Sequence, residues 1–219
     1  ERALYYKKEF SHPNLSYEVV AEQKPSRLNR LFGALKFHLL RTETVDLRRS
    51  MALQENRNYF RYFWNLFLNR LLARRSIRKI ARWLDYQLIQ SETFKPYFDK
   101  YRPDLIFSAH LFDDLEADLI REAKKRGIYT IGFINSWDKL TARSAVRLLP
   151  DKLIVFNDLV KKEAMEHADL PESSIFVAGI PQYDWHRNYR PLARKEFFAK
   201  KNLAPNKKLI VYAPMGKAF

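Results

Sequence analysis

The fold is decided by Arg102-Pro-Asp-Leu-Ile-Phe-Ser-Ala-His110 and the segment that follows, Asp113-Asp-Leu-Glu-Ala-Asp-Leu-Ile-Arg-Glu-Ala-Lys-Lys-Arg-Gly127. The first is a short apolar run after a proline and predicts a strand over 105–109. The second predicts a helix. Asp113 with Glu116 three residues on has the form of a capping box, carboxylates fill the first turn, Lys124, Lys125 and Arg126 fill the last, and Gly127 suits the position after the helix. The pattern then repeats: a strand over 129–134 leads into Asn135-Ser-Trp-Asp-Lys-Leu-Thr141, a strand over 152–156 into a helix over 158–167, and a strand over 174–178 into Gly179-Ile-Pro-Gln-Tyr-Asp184. Strands alternating with helices imply right-handed crossovers and a parallel sheet. The expected class is α/β, a parallel sheet flanked by helices, with a basic helical segment before residue 100. In open α/β sheets ligands bind outside the carboxyl ends of the strands.

The basic segment carries most of the charge. The chain has 219 residues and a net charge of +15; residues 24–82 hold fifteen Lys or Arg against Glu43, Asp46 and Glu55, a net +12. Leu28, Leu31, Phe32, Leu35 and Leu39 form one stripe at helical spacing; Phe60, Phe63, Trp64, Phe67, Leu68, Leu71 and Leu72 form a second. Arg70, Arg74 and Arg78 follow at i+4 spacing, with Arg75, Lys79 and Arg82 beside them. These six are the candidate anion- or membrane-binding residues, because basic amphipathic helices lie on anionic lipid. The alternative is that the aromatic stripes pack on the sheet and the arginines form a solvated face. Nucleic acid is disfavoured as a partner, since no reader motif accompanies the basic patch.

Other classes are bounded directly. There is no cysteine, which excludes disulfides, Cys-based zinc sites and a thiol nucleophile. No apolar run reaches the length of a membrane span and no signal-like amino terminus is visible, so a soluble or peripheral chain is expected. Neither GxGxxG nor GxxxxGK[ST] occurs, which argues against a dinucleotide oxidoreductase or P-loop ATPase. No metal is expected: a cap accounts for Asp113 and Glu116, and His167 with Glu163 and Glu166 lacks zincin spacing.

The candidate catalytic residues are His110 and Asp138. His110 follows the first strand and stands where an imidazole could act as base on a hydroxyl. Ser136, Trp137 and Asp138 follow the second strand: Asp138 could accept a proton or orient a hydroxyl, Trp137 could stack on a sugar or base, and Ser136 could hold a phosphate. The competing reading makes Ser136 or Asp138 a cap of the following helix and has Trp137 fill an interdomain wall.

Taken in order, Pro103-Asp104 with its strand, Ala123-Lys-Lys-Arg-Gly-Ile128, Ser136-Trp-Asp138, Pro150-Asp-Lys-Leu-Ile-Val-Phe-Asn157 and Gly179-Ile-Pro-Gln-Tyr-Asp184 resemble the amino-terminal half of bacterial B-fold (GT-B) glycosyltransferases of surface-polysaccharide synthesis. The wider superfamily includes CDP-glycerol glycerophosphotransferases and UDP-N-acetylglucosamine 2-epimerases. The resemblance spans residues 102–219, and Lys139 stands where such relatives read Asn. It implies two Rossmann-like halves facing across a cleft: an acceptor-side domain over 1–186 that includes the basic region 24–90, a linking helix within 187–206, and over 207–219 the first strand of a second domain that the chain truncates. It places Ser136, Trp137, Lys139, Gly179, Pro181 and Asp184 beside the cleft, and Met215 and Gly216 near the donor's phosphates.

The function implied is transfer of a sugar or glycerophosphate from a nucleotide-sugar or CDP-glycerol donor to a lipid-linked or glycan acceptor. It would proceed without a further cofactor, at the cytoplasmic face of the cell membrane, and this chain would be a fragment unable to turn over alone. The reading from another class is a non-catalytic module that binds anionic lipid or glycan.

Overall fold

The computed structural model describes residues 2–21 and 24–212. The chain divides into two compact units, Glu1–Gly179 and Ile180–Phe219.

The first unit opens with six helices: α1 (Arg2–Glu9), α2 (Arg27–Leu35), α3 (Glu43–Asn56), α4 (Tyr59–Leu72), α5 (Arg75–Leu88) and α6 (Lys95–Tyr101). The alternating part follows as β1 (Leu105–Ser108), α7 (Asp114–Lys125), β2 (Tyr129–Phe133), α8 (Lys139–Ala142), β3 (Lys152–Val155), α9 (Asp158–His167) and β4 (Ile175–Val177). The strands pair in parallel in the order β1-β2-β3-β4. The fold is therefore α/β, with an all-parallel sheet flanked by helices, compatible with a Rossmann-like unit.

Sequential order has a geometric consequence. Right-handed crossovers between consecutive neighbours all pass over the same face of the sheet, so α7 and α9 share one side. On that side Ile134, Leu153, Val155 and Ile175 form one core with Ile120 of α7 and Val160 and Ala164 of α9. Gly132 lies on this face because nothing larger fits: a Cβ there would come within 2.6 Å of Leu111 and 2.8 Å of Pro150. The opposite face carries Leu105, Phe107, Tyr129 and Phe176, all largely exposed, with Phe107 stacked on Phe133 at 6.3 Å.

Local signals hold where they are local. Gly127 takes φ +68° after α7. Asp113 is the N-cap of that helix, its carboxylate accepting from the backbone of Leu115. The capping box is a correction: Glu116 does not close it but accepts from the Ser108 hydroxyl and from the His110 backbone N–H at 2.9 Å. A strand carboxyl end supplied unsatisfied donors within reach, and Glu116 took those.

The helical segment is held to the sheet unit by buried ion pairs. Arg147, between α8 and β3, donates to Asp85 of α5 at 2.8 Å and to Asp114 of α7 at 2.9 Å; Arg121 of α7 donates to Asp85 at 2.5 Å. Lys36, following α2, reaches Asp114 at 2.7 Å and the carbonyl of Phe112 at 3.0 Å.

The second unit contains a 3₁₀ turn at Pro181–Tyr183, then α10 (Trp185–Asn188) and α11 (Arg194–Lys200). Arg194 donates to the Lys207 carbonyl at 3.0 Å. Within the strand expected from residue 207, residues 207–212 have no ladder partner, and Ile210, Val211 and Tyr212 are exposed. A strand forms only against another edge, and an apolar run alone does not supply one.

Candidate functional site

Parallel pairing brings the carboxyl ends of all four strands to one edge, and the polar residues of the motif stretch follow these ends. His110, after β1, is exposed and meets Asn135, after β2: the Asn135 amide nitrogen lies 2.9 Å from the imidazole Nδ1 and 3.1 Å from Nε2. An N–H directed at a ring nitrogen occupies the lone pair of the neutral imidazole. Asn135 was not among the residues singled out from the sequence. Its signal is its place two residues past the end of β2, on the same strand edge as His110.

The Asp138 carboxylate accepts from the Ser136 hydroxyl. It makes no side-chain cap to α8, although its backbone carbonyl accepts from Ala142 at 2.8 Å. The carboxylate is thus oriented by a hydroxyl while its second oxygen stays available. Trp137 is 72% exposed, and its indole is open to stacking. Lys139 opens α8 and is half-buried. Gly179, after β4, adopts φ +81° and donates to the Phe156 carbonyl at 3.1 Å. Pro181 and Asp184 belong to the second unit, and Met215 and Gly216 lie outside the described residues. Among the described residues no group of three or more His, Asp or Glu could hold a metal ion.

The basic candidates separate into two sets. Arg70, Arg74, Arg75 and Lys79 are exposed, although Arg75 also lies 3.5 Å from the Asp169 carboxylate. Arg78 and Arg82 are not surface residues: Arg78 binds Asp169 through Nε at 2.9 Å and Nη2 at 2.7 Å, and Arg82 binds it at 2.6 Å. They leave the anion-binding set because a buried carboxylate between α9 and β4 already takes them. Burial by itself pushes the Asp169 carboxyl up, but hydrogen bonds from Arg78 and Arg82 outweigh it and hold the group below its ordinary value. The continuous i+4 row is also broken, since α4 stops at Leu72 and Arg74 caps α5.

The aromatic side chains of the second stripe face solvent, while Leu72 packs against the cluster of Leu39, Leu40 and Ala81. Phe60 is 82% exposed, and Phe63, Trp64, Phe67 and Leu71 are also exposed. The inward side of α4 is anchored instead by Asn69, fully buried, whose amide donates to the carbonyls of His38 at 3.1 Å and Leu40 at 2.7 Å. Of the first stripe, Phe32 and Leu39 are buried while Leu28 and Leu31 are exposed. No helix among the described residues is long and apolar enough to cross a membrane.

Compared with family models, with curated proteins and with solved structures, the chain matches none.

Proposed function

We propose that this chain is the acceptor-side domain of a transferase that moves a sugar or glycerophosphate from a nucleotide-activated donor to a membrane-associated acceptor. The observation that carries the reading is the shared strand edge, where His110 with Asn135, Asp138 with Ser136, and the open Trp137 stand beside one another in the fold. In such a transfer a base removes the proton of the acceptor hydroxyl. The oxygen then bonds to the donor's anomeric carbon or phosphorus, and the nucleotide leaves with the electron pair. His110 or Asp138 is suited to the first task, and Trp137 to holding a sugar face. Positioning of donor and acceptor would supply much of the acceleration.

The test is transfer from nucleotide-sugar and CDP-glycerol donors by the native protein and its Asp138→Ala and His110→Ala variants. A loss of about 10²-fold or more in turnover with an unchanged melting temperature supports the reading. Activity that falls only in proportion to stability overturns it.

A second reading, a module that holds anionic lipid or glycan without catalysis, is favoured by the solvent-facing aromatic stripe of α4 with the exposed Arg70, Arg74, Arg75 and Lys79 nearby in sequence. Such a surface suits an interfacial helix. Membrane association is compatible with both readings; retained lipid binding with no transfer activity under any donor selects the second.

A further inference from the structure

A separate cleft of about 700 Å³ opens between α3 and α4, within the roughly 300–1,000 Å³ usual for small-molecule sites. Its lining includes Arg48 and Arg49 of α3, Arg61 of α4 and Arg143 at the end of α8, and no carboxylate. Arg49 is neutralised by Asp46 at 2.5 Å. Arg48 donates to the Ala142 carbonyl at 2.6 Å, a contact that fixes the guanidinium without cancelling its charge. Among the described residues none of Arg48, Arg61 and Arg143 pairs with a carboxylate, and Arg61 and Arg143 are exposed. His38, also in the lining, is held below its ordinary pKa by burial and by the nearby Arg49, and so adds no charge at neutral pH. Asn58 and Asn65 supply neutral donors, and Phe37, Leu53 and Tyr62 supply apolar wall.

We propose that this cleft binds a phosphate- or diphosphate-bearing molecule, with its oxygens among Arg48, Arg61 and Arg143 and its organic body against the apolar wall. Three uncompensated guanidinium groups drawn from three helices repel one another when empty. A single carboxylate would leave most of that charge standing, whereas a phosphate monoester or diphosphate brings two or more charges and several acceptor oxygens. The inference does not depend on the transfer reading, since the cleft shares no residue with the strand edge.

Two arms distinguish a soluble phosphate ester from a lipid headgroup. The full chain is titrated with inorganic pyrophosphate at physiological salt, and is sedimented with phosphatidylcholine vesicles with and without phosphatidic acid. Each arm compares the native chain with Arg61→Gln/Arg143→Gln and with Lys125→Gln/Lys162→Gln, which removes the same charge from exposed positions elsewhere. Saturable pyrophosphate binding that weakens about tenfold or more in the arginine variant alone supports a site for free phosphate esters. Binding confined to phosphatidic acid vesicles, and lost in the arginine variant alone, supports a lipid headgroup. Ala52→Trp, which fills the cleft without changing charge, should weaken whichever probe binds and serves if the double variant fails to fold. Equal weakening in the lysine variant, or no effect of Arg61→Gln/Arg143→Gln and Ala52→Trp on either probe, overturns the proposal.

Discussion

The Arg147 Nε donates to Asp85 Oδ2 at 2.8 Å across 62 residues of sequence, joining a loop of the sheet unit to the last turn of α5. Arg121 reaches the other oxygen of the same carboxylate at 2.5 Å. Asp85 is thus shared by two buried guanidinium groups, with side chains 3% exposed or less at all three residues.

Replacing Asp85 by Ala should destabilise the protein by about 1–3 kcal/mol, because two buried guanidinium groups lose their shared acceptor while Arg121 keeps Asp118 and Arg147 keeps Asp114. Urea unfolding followed by circular dichroism measures this; a loss under about 1 kcal/mol would show that water or another group compensates. Asp85→Asn should fall between, since the amide keeps an acceptor and loses the charge.

Asp169 makes stability depend on acid. Its folded pKa lies below the ordinary 3.8, so its contribution is fully present above that value and is lost as pH falls through the folded pKa. Asp114, lowered by Lys36 and Arg147 against the opposing push of burial, acts in the same direction. The native protein should lose stability steeply below about pH 4. Asp169→Asn should be less stable at neutral pH and show a shallower slope in that window; a parallel slope would remove Asp169 from the account.

On α4 the expected effects on stability and on binding separate. Phe63→Ala and Trp64→Ala change exposed side chains and should move stability by no more than about 0.5 kcal/mol, yet reduce partition onto anionic vesicles. Arg70→Glu and Arg74→Glu should reduce it further at low salt. The opposite pattern, lost stability with unchanged vesicle binding, would place the stripe in a core.

Asn69→Ala removes the donor to two backbone carbonyls and should cost about 1–3 kcal/mol. Thermal melting tests this, and a neutral effect would mean that solvent reaches the His38 and Leu40 carbonyls. Gly132→Ala forces a methyl group against Leu111 and Pro150 and should cost about 1–3 kcal/mol through overpacking.

The contrast between Gly127 and Glu116 shows how far the chain could be read in advance. Gly127 ends a helix by a requirement internal to four or five residues, and so was legible. Glu116 had an equally local cap available, but Ser108 and His110 offered donors that only the β1–α7 geometry brings near. The strand ends named His110, Ser136, Trp137 and Asp138 correctly as neighbours on one edge of a parallel sheet. They did not name Asn135, whose place beside His110 depends on the β1–β2 register.

By itself the sequence determined the alternation of strands and helices from residue 102 to 178, the Asp113 cap of α7, and the concentration of charge before residue 83. These depend on spacing, propensity and turn chemistry, all of short range. Tertiary structure alone decided which face of α4 meets solvent and which arginines are free. Periodicity defines an apolar stripe without saying what covers it, and the partner that withdraws Arg78 from the surface, Asp169, lies 91 residues away along the chain.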